Sequence, residues 1–270
     1  MTLCIATFPS IALRSEVEVT VFVPSPPGGM GPQQPYAEAY PRDRRYKTIY
    51  LLHGATGNHT DWIRKTMVEA YAQEAGLALV MPSGQNSFYV NAVTGLRYFD
   101  YINEELPAWA ESVFPLGRGR EDRYIAGLSM GAYGALRHGL ATPERYAAIG
   151  AFSGPSDIAQ TQRMLVQAGI NAAEPAAIFG DLDSIPGSDH DPYALARKCA
   201  TSGKPLPPIY LSCGTEDAML LEQNRRFPPY LKELGFDVVY EEFPGAHEWP
   251  VWDRSIQAFI RMITGAGPGA

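Results

Sequence analysis

Short apolar runs alternate with longer amphipathic stretches along most of the chain, and each run ends at a turn signal. Glu16–Pro24 (EVEVTVFVP) alternates apolar and polar residues and predicts a half-exposed strand. Tyr46–Leu52 (YKTIYLL) and Leu77–Met81 (LALVM) predict two more strands, with a helix over Asp61–Glu74 between them. Ser25–Arg45 is rich in Pro and Gly and predicts a mobile loop. The alternation continues. Ile102–Phe114 reads as a helix with Pro107 as its kink point, Arg123–Ala126 as a buried strand and Ala132–Ala141 as a helix ending near Pro143. Tyr146–Phe152 and Pro208–Ser212 read as strands, and Leu220–Leu234 as a helix capped by Gly235. Asp237–Phe243 is a last strand and Glu248–Ile263 a last helix, with Gly265–Ala270 frayed.

Strands that alternate with helices predict an α/β fold, with a mostly parallel central sheet flanked by helices on both faces. The first strands are expected to be antiparallel, because Glu16–Pro24 and Tyr46–Leu52 are joined without a helix. Pro155–Leu206 has weak periodicity and many Pro, Gly and Asp residues. It is expected to be a cap-like insertion, around 155–206, in a single domain spanning 1–270. Its place would be the C-terminal edge of the sheet, where open α/β folds build their sites.

Composition narrows the classes. Hydrophobic residues make up 46% of the 270 residues and charged residues 19%, which excludes a disordered chain. The balance of 22 − 29 = −7, with no long basic run, argues against a nucleic-acid partner. No apolar stretch approaches the ~20 residues that span a bilayer, so no membrane partner is expected. Met1–Ser10 (MTLCIATFPS) has no basic residue ahead of a long apolar run, so no secretory leader is expected and the location is read as cytoplasmic. The three cysteines, Cys4, Cys199 and Cys213, are widely spaced. They read as buried or half-buried free thiols, not as a disulfide framework or a zinc site.

Gly127-Leu128-Ser129-Met130-Gly131 is a GxSxG pentapeptide placed between a short buried strand and a small-residue helix. That is the setting of a nucleophile elbow, whose tight turn requires flanking positions without bulk. A serine nucleophile needs a base. Of the five histidines, His138 lies inside the helix after the elbow and points away, while His59 and His190 lie in polar loops. His53 ends a strand before a glycine and is read as shaping the backbone. His247 follows the last strand in Phe243-Pro244-Gly245-Ala246-His247, at the same sheet edge as Ser129. The base in turn needs an orienting carboxylate. Asp217, in Cys213-Gly214-Thr215-Glu216-Asp217, is preferred to its neighbour Glu216, and Asp157 follows the wrong strand. The order Ser129, Asp217, His247 is the one α/β-hydrolases use. An oxyanion hole needs two fixed N–H donors. Met130, after the nucleophile, supplies one, and Ala55 in His53-Gly54-Ala55-Thr56-Gly57 supplies the other, with Gly54 as second choice. Trp62, Tyr89 and Trp249 are candidate walls of the substrate pocket. No metal and no cofactor are required.

These stretches resemble the esterase D-type family, which includes tributyrin (acetyl) esterases, feruloyl esterases, S-formylglutathione hydrolases and mycolyltransferases. The resemblance rests on Leu51–Trp62 (LLHGATGNHTDW), Gly127–Ala135 (GLSMGAYGA), Cys213–Asp217 (CGTED) and Pro244–Trp249 (PGAHEW). Met81-Pro82-Ser83-Gly84, Phe88–Asn91 (FYVN) and Tyr101–Leu106 match its connecting segments. The resemblance covers about Glu16 to Ile263 and implies an α/β-hydrolase fold, with Ser129, His247 and Asp217 as catalytic residues. It also supports Ala55 and Met130 as oxyanion donors. One departure stands out. Formylglutathione hydrolases usually carry a cysteine at the oxyanion loop, and Gly57 occupies that place here, which argues against that activity. The expected function is a serine carboxylesterase for short acyl esters, acetyl to butyryl, with a small-molecule ester as partner. The alternative substrates are feruloyl or acetyl-xylan-type esters. A non-catalytic binding protein would require a broken triad, and all three positions are intact. The family often forms oligomers, which makes a homo-oligomer an expectation from the resemblance.

Overall fold

Strand after strand, the short apolar runs hydrogen-bond side by side into one sheet. The computed structural model describes residues 1–26, 35, 38, 40–169 and 173–265. Most of the predicted loop at 25–45 and the tail after Gly265 lie outside the described residues. Among the described residues the eight strands are β1 (Thr2–Ser10), β2 (Ser15–Val23), β3 (Thr48–Leu52), β4 (Ala78–Pro82), β5 (Arg123–Leu128), β6 (Ala148–Phe152), β7 (Ile209–Gly214) and β8 (Val238–Phe243). Their spatial order is β1-β2-β4-β3-β5-β6-β7-β8. β1 pairs antiparallel with β2, and β2 antiparallel with β4; every later pairing is parallel. The antiparallel start matches expectation, but β2 neighbours β1 and β4, and β4 separates it from β3.

β1 has no counterpart among the predicted elements. It zips to β2 from Thr2↔Val23 to Ser10↔Ser15, yet its apolar Leu3 and Ile5 are exposed. The opposite face, with Cys4 and Ala6 half-buried and Phe8 and Ser10 buried, is the one turned to the core. The central strands behave in the opposite way. Every residue of β3, β4, β6 and β7 is buried, as helices on both faces require. Successive side chains go to opposite faces. Tyr50 and Leu52 join one core with Val80, Ile125 and Ile149, while Ile49 and Leu51 join another with Leu79, Trp62 and Phe259.

The helices follow the sequence pattern with two informative differences. The stretch predicted as one helix over 61–74 is two, α1 (Asp61–Lys65) and α2 (Val68–Ala75). The break is held by a distant residue, because Met67 N–H donates to Asp253 Oδ1 at 2.8 Å. The helix with Pro107 begins as α3 (Tyr98–Asp100), widens into a π turn over Tyr101–Glu105 and continues as α4 (Leu106–Val113). Proline lacks an N–H and its ring collides with the carbonyl four residues back, so the chain widens just before it.

α5 (Met130–Ala141) follows the elbow. The region 155–206 carries α6 (Ile158–Gln167), α7 (Ala173–Phe179) and α8 (Pro192–Ala200). Asp157, the rejected acid, is the N-cap of α6 and accepts from Gln160 N–H at 2.9 Å. α9 (Leu221–Glu233) and α10 (Trp249–Thr264) complete the layers. Among the described residues no helix is long and apolar enough to cross a membrane.

Cys4 is half-buried, and Cys199 and Cys213 are buried, all as free thiols. Burial pushes the Cys199 thiol up to about 11. Burial and then the charge of Asp217 push Cys213 up to about 12. Titration of the folded protein with an aromatic disulfide reagent is therefore expected to modify Cys4 alone, and all three thiols after denaturation.

Candidate active site

The site is assembled by three loops at the C-terminal ends of β5, β7 and β8. Gly127 closes toward Gly131 so tightly that an added Cβ would lie 2.5 Å from the Gly131 carbonyl. A Cβ on Gly131 would lie 2.5 Å from Leu52 O and 2.6 Å from His53 O. Both flanking glycines are thus dictated by backbone contacts, as the turn predicted. Between them Ser129 adopts φ 52° and ψ −117°, a left-handed conformation that a residue with a side chain rarely adopts. This sharp reversal lifts the hydroxyl clear of the sheet.

His247 Nε2 lies 2.9 Å from Ser129 Oγ, and His247 Nδ1 lies 2.7 Å from Asp217 Oδ2. The loops that carry His247 and Asp217 are locked to each other. Thr215 N–H donates to Phe243 O and Glu216 N–H to Gly245 O, each at 2.9 Å. Asp217 is 1% exposed, whereas the rival Glu216 is exposed. Asp217 Oδ1 also accepts from Leu220 N–H at 3.1 Å, and the Cys213 thiol sits 3.7 Å from Oδ2. Burial alone would raise the Asp217 carboxyl, but the His247 hydrogen bond and charge, with the Leu220 and Met219 amides, hold it below its ordinary value. Nδ1 faces this acceptor, so the imidazole proton belongs on Nδ1 and Nε2 is bare toward the serine. A hydroxyl facing a bare imidazole nitrogen, itself held by a buried carboxylate, is the arrangement that activates a weak nucleophile.

The hydroxyl opens into a cavity of about 490 Å³. Gly54, Ala55 and Met130 border it beside Ser129. Met130 is the first residue of α5, so its N–H is among the amides that a helix leaves unpaired. Trp249 lines the cavity as expected. Trp62 and Tyr89 do not, which corrects their assignment as walls. Trp62 is 1% exposed, donates Nε1–H to Leu52 O at 3.0 Å and backs the Trp249 ring edge-on. Tyr89 is fully buried and donates its hydroxyl to His53 O at 2.9 Å. The apolar walls are Phe88, Leu165, Met219, Leu220 and Trp252. Pro155, Thr161 and Leu165 come from the 155–206 region. Lys65, paired to Asp61 at 3.1 Å and set over the Trp249 ring, borders the opening.

Three of the other four histidines lie outside the cavity lining. His138 is fully buried with Nε2 3.0 Å from Tyr89 O, and burial drives its pKa well down. His59 is buried against Thr20 Oγ1 at 2.7 Å, so its predicted polar loop is packed. His190 is lowered to about 4 by burial and by Arg137. Among the described residues no group of His, Cys, Asp and Glu is placed to hold a metal ion.

Fold and site together define a serine hydrolase of the α/β-hydrolase class. The profile of the esterase family described as "Putative esterase" matches residues 32–263, and the chain belongs to that family. It is 38% identical over 214 residues to a protein named acetyl esterase from Caldicellulosiruptor saccharolyticus, covering 78% of this chain and 80% of that one. It is similar in structure to FphF, a fluorophosphonate-binding serine hydrolase of Staphylococcus aureus, with TM-score 0.85 and 30% identity over 97% of this chain and 98% of that one. The S-formylglutathione hydrolase FrmB of Staphylococcus aureus gives TM-score 0.84 at 30% identity, again over 97% and 98% of the two chains. The protein is a carboxylic ester hydrolase.

Proposed function

We propose that the enzyme hydrolyses short-chain acyl esters, acetyl to butyryl, through an acyl-enzyme on Ser129. The single observation that carries this reading is the hydrogen-bonded series Ser129–His247–Asp217 opening into the cavity. Ser129 Oγ attacks the ester carbonyl carbon as His247 Nε2 takes its proton. Asp217 steadies the imidazolium. The N–H groups of Ala55 and Met130 donate hydrogen bonds to the developing oxyanion. The carbon–oxygen bond to the alcohol then breaks, and the alcohol leaves with the proton returned by His247. Water enters, gives a proton to His247 and attacks the acyl carbon. The acyl–Oγ bond then breaks, His247 returns its proton to Ser129 Oγ, and the acid leaves. A fluorophosphonate adduct mapped to Ser129 would support this sequence, and an unlabelled Ser129 in active enzyme would overturn it.

The acyl preference is supported by the bulk of Phe88, Trp249 and Trp252 around a cavity of about 490 Å³ and by the relative named acetyl esterase. The segment 155–206 acts as a cap-like insertion, because it supplies Pro155, Thr161 and Leu165 to one wall. A series of p-nitrophenyl esters is expected to peak at acetate to butyrate. A maximum at palmitate would contradict the preference. Similarity to FrmB over nearly the whole chain favours S-formylglutathione as a second substrate class, although Gly57 stands where such enzymes usually carry cysteine. Parallel assays on S-formylglutathione and methyl ferulate decide between these and simple esters.

A further inference from the structure

The histidine directly after β3 has no place in the steps above and is not among the cavity-lining residues, yet both ring nitrogens are fully engaged. His53 is 1% exposed. Its Nδ1 lies 2.6 Å from Gly54 O and its Nε2 lies 2.7 Å from Gly84 N. A carbonyl only accepts and an amide N–H only donates, so Nδ1 carries the proton and Nε2 is bare. Gly54 O and Ala55 N–H belong to one peptide unit. The described residues contain no cis peptide bond, so that unit is planar and trans, with its C=O and N–H pointing in opposite directions. Fixing the carbonyl on the His53 side therefore turns the Ala55 N–H the other way, toward the side where Gly54 and Ala55 border the cavity with Ser129.

We propose that His53 is a positioning residue of the oxyanion hole, whose ring clamps the Gly54 carbonyl so that the Ala55 N–H faces the acyl oxygen. This rests on the reading of Ala55 as an oxyanion donor. Gly57 N–H is a second donor to Gly54 O at 3.2 Å, longer than the His53 bond. The ring itself cannot swing. Gly84, in the loop after β4, holds its far nitrogen, Tyr89 holds the His53 carbonyl at 2.9 Å, and the Tyr89 ring packs against the imidazole. Asp61, His59 and Lys65 are the charged or titratable groups around it. Burial outweighs the Gly54 hydrogen bond and the Asp61 charge and lowers the His53 pKa, which keeps the ring neutral. A proton on Nε2 would oppose the Gly84 N–H. Released from the clamp, the Gly54–Ala55 peptide can rotate and present a carbonyl oxygen where the reaction needs a donor.

The test compares two substitutions of nearly equal shape. Asn keeps an N–H donor near the place of Nδ1, and Leu keeps the bulk without the donor. His53→Leu is expected to lower kcat about 100-fold, the order lost with one oxyanion donor, with KM changed less than about 3-fold. His53→Asn is expected to recover to within about 10-fold of the parent. Affinity for an alkyl trifluoromethyl ketone, which forms a tetrahedral oxyanion adduct with Ser129, should fall in parallel with kcat in His53→Leu. Parent-like kcat in His53→Leu, or equal losses in both variants, would overturn the proposal. A measurement on the unaltered enzyme guards against poorly folded variants. Ring ¹⁵N spectra should show the neutral Nδ1–H tautomer of His53 across neutral pH, and an Nε2–H or doubly protonated ring would also overturn it. Fluorophosphonate labelling of Ser129 in the unaltered enzyme tests the acyl-enzyme reading separately, because it does not depend on how His53 variants behave.

Discussion

Replacement of Ser129 by Ala is expected to lower kcat by about 10⁴- to 10⁶-fold while leaving the melting temperature near that of the parent. Oγ is the only heavy atom removed. Its hydrogen bond to His247 Nε2 lies at the border of the cavity, where water can replace it. No bulky contact is lost, because alanine retains the Cβ around which the elbow is already built. The residual rate measures what the oxyanion donors and binding achieve without a nucleophile. Steady-state kinetics with p-nitrophenyl acetate, alongside a thermal melt, checks both halves. A near-parent kcat would exclude Ser129 as nucleophile.

Asp217→Asn is expected to lower kcat by about 10⁴-fold with little change in KM. The carboxylate has two acceptor oxygens, one on His247 Nδ1 and one on Leu220 N–H. An amide has a single oxygen. If that oxygen keeps the Leu220 amide, the NH₂ group faces Nδ1 and expels the proton to Nε2. The imidazole then presents an N–H to Ser129 and cannot take its proton. The shape of the site is preserved, so binding should survive where turnover does not. In the parent enzyme Asp217 is held below the ordinary carboxylate range and so remains ionised through mildly acidic pH. The orienting charge, present above the ordinary carboxylate range, is lost only as pH falls through that lowered value. Pre-steady-state kinetics that show loss of the acylation rate at unchanged substrate affinity would confirm the tautomer argument.

The hydrogen-bonded series Ser129–His247–Asp217 was legible because each member follows a recognisable strand end. Ser129 comes directly after Leu128 at the end of β5, Asp217 three residues after Gly214 at the end of β7, and His247 four residues after Phe243 at the end of β8. Parallel strands put their C-terminal ends on one edge, so chain order alone brought three distant residues together. The pocket walls were not legible for a local reason. Phe88 and Tyr89 both have left-handed backbones, with φ 51° and 56°. Bulky residues rarely adopt that conformation, and nothing in the string of letters announces it. The turn sends Tyr89 into the core and leaves Phe88 at the cavity. Trp62 was misplaced because an indole beside a motif can serve either side, and the bond to the Leu52 carbonyl decided it. The break between α1 and α2 depends on Asp253, almost two hundred positions away, which no local pattern contains.

The left-handed backbone at Ser129 sets natural selection against itself. A non-glycine residue held there costs on the order of 1 to 3 kcal/mol, which glycine would largely relieve. A lineage screened only for resistance to heat would therefore be drawn toward Ser129→Gly, gaining robustness and becoming inert. The position proposed as nucleophile is also one where durability and usefulness pull in opposite directions, so only continued demand for turnover keeps a side chain there.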